Sequence, residues 1–215
     1  AIQDILLAAV LQPFPAVRCI AEERTALKKR FAGNTSPYTV ILDPIDGTVS
    51  FVQGVPLFGN LVALEDEHGP AVGVINIPAL GECVWAGRGL GCFINGVPTR
   101  VGNHAHLAEA CIVTSGVDYW GSAARLDPLV TAGSIIRTWG DSYGYLLVAT
   151  GRADAMVDPI VNRWDVAPML TILPEAGGVF TDMAGNVTAD GGDAIATNPT
   201  LHAALMAAIG RSPGR

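Results

Sequence analysis

The chain has 215 residues, half of them hydrophobic and 15% charged, which excludes disorder and allows one sizeable core or two small halves sharing one. Thirteen Lys and Arg stand against 20 Asp and Glu, and the formal net charge of −7 argues against a nucleic-acid groove lined by clustered cations. No unbroken apolar run is longer than residues 5–11, far short of the roughly 20 needed to cross a bilayer, and no signal-peptide pattern opens the chain.

Residues 4–12 are apolar at helical spacing and stop at Pro13. Residues 16–20 and 38–42 predict short buried strands, partly β-branched. Residues 61–64, 72–77, 83–86 and 92–94 predict successive strands of an antiparallel sheet, and Asn95-Gly96 predicts a tight turn because both residues tolerate positive φ. Beyond about Val101 the pattern changes. Strands at 111–114, 135–137 and 155–157 alternate with helices at 142–149 and 164–175, the second closed by Gly177-Gly178. A last helix spans 199–209, with Asn198 as N-cap and Gly210 after it. The expectation is an α/β protein with an α+β N-terminal half, divided into subdomains at 1–103 and 104–215 and packed as layers. Cys19, Cys83, Cys92 and Cys111 form no Cys-x-x-Cys pair and are expected as small buried thiols in a reducing cytosol. The chain opens inside a helix without a cap or start Met, which a missing or disordered N-terminal segment would explain.

Chemistry concentrates in the run VILDPIDGTVSF, residues 40–51. A buried strand delivers Asp43 at its end, and Pro44 is expected to stop the ladder there. Asp46 follows, Gly47 allows a sharp turn, and Thr48 or Ser50 is expected to cap a short helical turn through Phe51 and Val52. Two carboxylates and a carbonyl aimed at one point suit a hard cation such as Mg²⁺, and the amides of Gly47 and Thr48 suit a phosphate oxygen. An ordinary turn is the alternative, since Asp, Pro and Gly are turn residues. In WDVAPMLTILPEAGG, residues 164–178, Asp165 falls in the first helical turn, either complementing the helix dipole or serving as a third metal carboxylate. Glu22-Glu23, just after a strand, offers a fourth carboxylate or a solvated helix start.

The DPIDGTVSF run, the WDVAPMLTILPEAGG run and the EE pair about twenty residues ahead of the first resemble, in order, the three signatures of the inositol monophosphatase family. Similarity extends to LVALEDEHGPAVGVINIPALGECVWAGRGLGCFINGVPTRV and LLVATGRADAMV. The resemblance implies a layered αβαβα sandwich of the inositol monophosphatase and fructose-1,6-bisphosphatase type. It also implies Mg²⁺-dependent, lithium-sensitive hydrolysis of a phosphate monoester, two or three ions per site, and a homodimer. Carried over, Glu22, Asp43 and the Ile45 carbonyl would hold one ion; Asp43, Asp46 and Asp165 would hold a second. Gly47 and Thr48 would bind phosphate, and Thr48 would orient the attacking water. Two departures stand out: Ala21 replaces the usual Gly before the Glu pair, and the family's N-terminal segment with its Thr-x-x-Asp element is expected to be absent.

The stretch RTWGDSYGY, residues 137–145, is similar to the histidinol-phosphate phosphatase branch, where Trp-Gly-Asp-x-Tyr-Gly recurs. A cationic amino alcohol would be drawn to Asp141 and to Asp158, which stands where inositol-type members place Glu. The alternatives are a helix cap for Asp141 and a plain turn for Asp158-Pro159. The expected reaction is histidinol phosphate to histidinol, with inositol 1-phosphate as the alternative. A member that binds a phosphorylated metabolite without turning it over is the rival of another class. The expected partner is a small phosphate ester, without nucleic acid or membrane, in the cytoplasm. The run GRGLG at 87–91 reads as a turn, and His104-x-His106 as an exposed loop.

Overall fold

The computed structural model describes residues 2–23 and 34–210. Helix α1 (Ile2–Leu11) leads into β1 (Arg18–Ala21) and β2 (Thr39–Asp46), then a short α2 (Thr48–Gln53). A meander follows through β3 (Gly59–Asp66), β4 (Gly69–Ile77), β5 (Glu82–Gly87), β6 (Gly91–Ile94) and β7 (Val97–Pro98). The second part holds β8 (Cys111–Val113), α3 (Asp127–Thr131), β9 (Ile135–Arg137), α4 (Asp141–Ala149) and β10 (Ala155–Asp158). It ends with α5 (Arg163–Val166), α6 (Met169–Glu175), β11 (Val179–Thr181), β12 (Ala194–Thr197) and α7 (Pro199–Gly210).

The strands form a seven-stranded sheet in sequence order, β1 to β7, and a five-stranded sheet in the order β11-β12-β10-β8-β9. In the first sheet only β1 and β2 are parallel, as expected of strands separated by a long connection. The Asn95-Gly96 turn has φ of 48° and 81° and joins β6 to β7. In the second sheet β8 is parallel to β9 and β10, while β12 is antiparallel to β10 and β11.

Helices α4 and α6 lie between the sheets, where Leu146, Val148, Ile172 and Leu173 join Ile75 and Val84 of one sheet to Met156 and Ala196 of the other. Leu201 and Leu205 of α7, with Leu129 of α3, cover the far face of the second sheet against Ile112, Val157 and Ile195. Leu7 of α1 seals the first sheet against Val40 and Leu42. The layering is therefore αβαβα, and burying so many apolar side chains of each layer on two sides is its main driving force. No helix among the described residues is long and apolar enough to cross a membrane.

Three local expectations need correction. The β2 ladder does not stop at Pro44: it resumes at Asp46, opposite Gly59, after a register shift that lodges Pro44 and Ile45 in an irregularity needing no ladder donor. The helix expected at 164–175 is two helices, because Pro168 has no N–H to give and its ring crowds the carbonyl one turn back. Of the four free cysteines only Cys92 is fully buried; Cys19, Cys83 and Cys111 are half-buried on β1, β5 and β8.

Candidate active site

Parallel pairing brings the first two acidic groups together. Ala21 lies opposite Leu42, so Glu22 leaves β1 beside Asp43, and its N–H donates to the Leu42 carbonyl at 3.3 Å. The buried Gln3 of α1 brackets the next residue: its Nε2 donates to the Glu23 carbonyl at 2.8 Å, and the Glu23 N–H donates to its Oε1 at 2.9 Å. At the irregularity in β2 the Ile45 N–H donates to Asp43 Oδ1 at 3.0 Å. Asn60 Nδ2 donates to the Pro44 carbonyl at 2.7 Å, and Asn76 Nδ2 donates to Asn60 Oδ1 at 2.9 Å, bracing that kink from the neighbouring strands.

Gly47 then takes φ 75°, and a Cβ there would stand 3.1 Å from Asp141 Oδ2 and 3.2 Å from the Leu57 carbonyl, so glycine lets the chain turn under α4. Neither Thr48 nor Ser50 caps α2. The cap position is Gly47, and the Thr48 hydroxyl donates backward to the Ile45 carbonyl at 3.2 Å.

The other carboxylates arrive on helix starts and strand ends of the second half. A Cβ on Gly140 would stand 2.0 Å from Ser115 Cα, so only glycine lets the start of α4 press against the end of β8. Asp141 follows with φ 54°, strained for a non-glycine residue, and its N–H donates to Ser115 Oγ at 2.9 Å. Asp141 does not cap its own helix. That role falls to Asp46, which accepts the Ser142 N–H from across the layer boundary. In α5 the Asn162 N–H and Nδ2 donate to Asp165 Oδ2 at 2.7 and 3.2 Å, a capping box that fixes the Asp165 side chain. Asp158, at the end of β10, accepts the Ser115 N–H at 3.1 Å and the Tyr145 hydroxyl at 3.0 Å.

One carboxylate oxygen each from Asp43, Asp46 and Asp165 lies within 4.8 Å of the others. Glu22 is hydrogen-bonded to Asp43 and feels Asp165. Burial, followed by the Asp46, Glu22 and Asp165 charges, pushes Asp43 up to about 9. Burial and the Asp141 charge push Asp46 up to about 8, against the opposing Ser142 hydrogen bonds. Burial also raises Glu22, Asp141 and Asp165, and pushes Asp158 up to about 7 despite its donors Ser115 and Tyr145.

These groups line one cavity of about 470 Å³, a size suited to a small ligand. Glu22, Asp43, Ile45, Asp46, Gly47 and Thr48 line it from the first half, and Asp141, Asp158 and Asp165 from the second, so all nine residues expected to hold metal, phosphate or substrate line one cavity. Ser115, Asp118, Tyr119 and Tyr145 line it too and escaped the sequence reading. The one signal available for Ser115 was its place just past a strand's carboxyl end in the α/β half, where such sheets bind ligands. Arg137 and Trp139 stay outside, stacked 5.9 Å apart. His104 sits in an exposed loop with its ring on the Ala108 carbonyl, as expected, and GRGLG is a turn with Gly89 and Gly91 at positive φ.

Seven carboxylates and no cationic side chain line the cavity among the described residues. Such a set is all hard oxygen donors, partly desolvated and mutually repelling, which fits a divalent cation and repels a bare phosphate.

The inositol monophosphatase family model matches residues 1–213. A histidinol-phosphatase from Chlorobaculum parvum is 43% identical over 174 residues, covering 79% of this chain and 67% of that protein. An inositol-1-monophosphatase from Mesorhizobium japonicum is 31% identical over 215 residues, covering 96% and 79%. The solved inositol monophosphatase of Anabaena superposes with a TM-score of 0.87 at 27% identity, over 98% of this chain and 85% of that one. With layers, acidic cavity and signature runs in agreement, the chain belongs to the inositol monophosphatase family and is a phosphoric monoester hydrolase.

Proposed function

We propose that this phosphatase hydrolyses histidinol phosphate to histidinol and needs Mg²⁺ to do so. The observation that carries the metal requirement is the desolvated cluster of Asp43, Asp46 and Asp165, without a cationic side chain among the described residues of the cavity. In this reading Glu22, Asp43 and the Ile45 carbonyl hold one ion and Asp43, Asp46 and Asp165 a second, with two or three ions per site. When bound, the ions would supply Lewis acidity that activates a water and neutralises charge on the phosphoryl group.

The rest falls to the chain's own groups. Asp43 would be a ligand common to both ions, and its carboxylate is held at the β2 irregularity by the Ile45 N–H. The Thr48 hydroxyl is one step from the Ile45 carbonyl and orients the water; the Gly47 and Thr48 amides hold phosphate oxygens. Asp141 and Asp158, both lining the cavity from the second half of the chain, receive the ammonium or imidazolium of the leaving alcohol. Their support is position: both line the cavity, and Asp158 is pinned by Ser115 and Tyr145 so that its orientation is fixed before substrate arrives. The 43% identity to a histidinol-phosphatase supports the same substrate. A second substrate, inositol 1-phosphate, is favoured by the relative of that activity. The cytoplasmic homodimer, and the division into subdomains near residue 103, rest on the family resemblance and on the sequence pattern.

Phosphate release from histidinol phosphate and from inositol 1-phosphate, each with Mg²⁺ and with chelator, tests the proposal. Chelator-sensitive preference for histidinol phosphate is expected. Preference for the inositol ester overturns the substrate, undiminished turnover in chelator overturns the metal, and silence on both favours a binding protein.

A further inference from the structure

Asp165 owes its place to α5, a helix of four residues that is too short to hold itself. Its first residue, Arg163, reaches away from the cavity and grips two anions on two different elements. Nη2 donates to both oxygens of Glu65, at 2.7 and 2.8 Å, and Nη1 donates to Asp190 Oδ2 at 2.6 Å. Glu65 belongs to β3, the strand hydrogen-bonded along its length to β2, which carries Asp43 and Asp46. The Glu65 carboxylate is four-fifths buried and Arg163 is seven-tenths buried, whereas Asp190 is mostly exposed. The Arg163–Glu65 contact is therefore charge-assisted and partly shielded from water, one guanidinium nitrogen held by both carboxylate oxygens while the other nitrogen takes Asp190, so the planar group spans two elements in a fixed geometry.

We propose that Arg163 is a positioning residue that ties α5 to the β2–β3 ladder and so sets the distance of Asp165 from Asp43 and Asp46, tuning affinity for the cation they share. The tie crosses between the halves of the chain, and the capping box at Asn162 then transmits it to the Asp165 side chain. Arg163 touches neither substrate nor the reacting atoms; it acts through α5. The proposal rests on the reading of Asp165 as a cation ligand.

The test is calorimetric titration of the purified full chain with Mn²⁺ as the probe, alongside the Mg²⁺ dependence of turnover. Arg163→Met is expected to weaken Mn²⁺ binding about tenfold and to raise half-saturating Mg²⁺ by the same factor, with kcat near normal at saturation. Arg163→Lys, a single point charge in place of a planar group that holds Glu65 and Asp190 from separate nitrogens, should fall between, and Glu65→Gln should resemble Arg163→Met. Asp190→Asn, at the exposed partner, should change Mn²⁺ binding less than twofold. Should Arg163→Met fail to fold, Arg163→Lys and Glu65→Gln decide the matter. Unchanged Mn²⁺ affinity in these variants, with only a lowered melting temperature or kcat, overturns the proposal. Asp165→Asn separates this failure from a deeper one: wild-type Mn²⁺ affinity in Asp165→Asn would refute the ligand reading itself, whereas weakened binding there with full affinity in the Arg163 and Glu65 variants refutes only the tie.

Discussion

At the residue scale, the acidic cavity sorts its carboxylates by what each touches. Asp43 meets Glu22, Asp46 and Asp165 at once, so its charge is the one that two ions would share. Asp43→Asn keeps an acceptor for the Ile45 N–H and hence the kink in β2, but removes that charge. We expect kcat to fall about a thousandfold with the melting temperature nearly unchanged; near-normal turnover in the folded variant would remove Asp43 from the metal site. Asp158 poses a different problem, because its two oxygens hold Ser115 and Tyr145. Truncation to Ala would strand a buried N–H and a buried hydroxyl at about 1–3 kcal/mol each and confuse stability with recognition. Asp158→Asn is the cleaner change, since its carbonyl still accepts from Ser115 and its amide can donate to the Tyr145 oxygen. It should raise KM for histidinol phosphate about tenfold, the worth of one charge-assisted hydrogen bond, and leave KM for inositol 1-phosphate unaltered. Equal effects on both esters would take Asp158 out of leaving-group recognition.

At the scale of elements, legibility followed sequence distance. The spacing of Asp43, Asp46 and Gly47 was readable because all three belong to one strand end and its turn. The capping box of Asn162 and Asp165 was equally local, an Asn followed three residues later by an acid, and Asp165 was found on that helix start. The break at Pro168 was missed, because a proline alone does not say whether a helix ends: Pro174 lies inside α6 while Pro168 separates α5 from α6. What stayed hidden was pairing across long separations: Asp46 capping α4 from 96 residues away, or Ser115 bonding Asp158 from 43 away. Those contacts exist only once both sheets pack on α4 and α6, and no periodicity encodes them. Gly140 marks where the sheet and helix meet. Adding a methyl group there would drive Cβ to 2.0 Å from the Ser115 Cα, a backbone that cannot swing aside as a side chain could. Gly140→Ala is expected to cost about 3 kcal/mol, the upper end of ordinary overpacking, and to lower the melting temperature by about 9 °C. Thermal unfolding followed by circular dichroism checks it, and a loss below about 2 °C would show that α4 does not need this approach to β8.

At the scale of the whole molecule, the cavity makes stability a function of pH and of metal. Asp43 is pushed up to about 9 and Asp46 to about 8, from unfolded values near 3.8, by burial first and then by neighbouring carboxylates, Asp46 acting on Asp43 and Asp141 on Asp46. A carboxyl whose folded value is raised holds its proton in the native state at a pH where the unfolded chain has lost it. The native state then binds more protons, and its stability falls as pH rises, from full strength below about 4 to its loss above about 9. Each excess proton costs about 1.4 kcal/mol per pH unit over that window. His202 runs the other way, since burial lowers it, but its contribution is complete by about pH 7. The window from pH 7 to 9 is therefore clear of histidine; toward its upper end Cys83, Cys92 and Cys111, whose thiols burial pushes up, add a slope of the same sign, and the Mg²⁺-sensitive part of the slope is what belongs to the carboxylates. In chelator, the melting temperature should drop by about 3–5 °C per pH unit across it. Saturating Mg²⁺ should cancel the carboxylate part of that slope, because a cation that binds the deprotonated cluster stabilises the folded form alone and does so more as fewer protons compete. The gain from Mg²⁺ should accordingly be larger at pH 9 than at pH 7. A flat or rising melting temperature in chelator, or a gain from Mg²⁺ that shrinks with pH, would mean that the clustered carboxylates are already ionised and balanced without a metal, and the case for a cation at the boundary between the two sheets would fall with it.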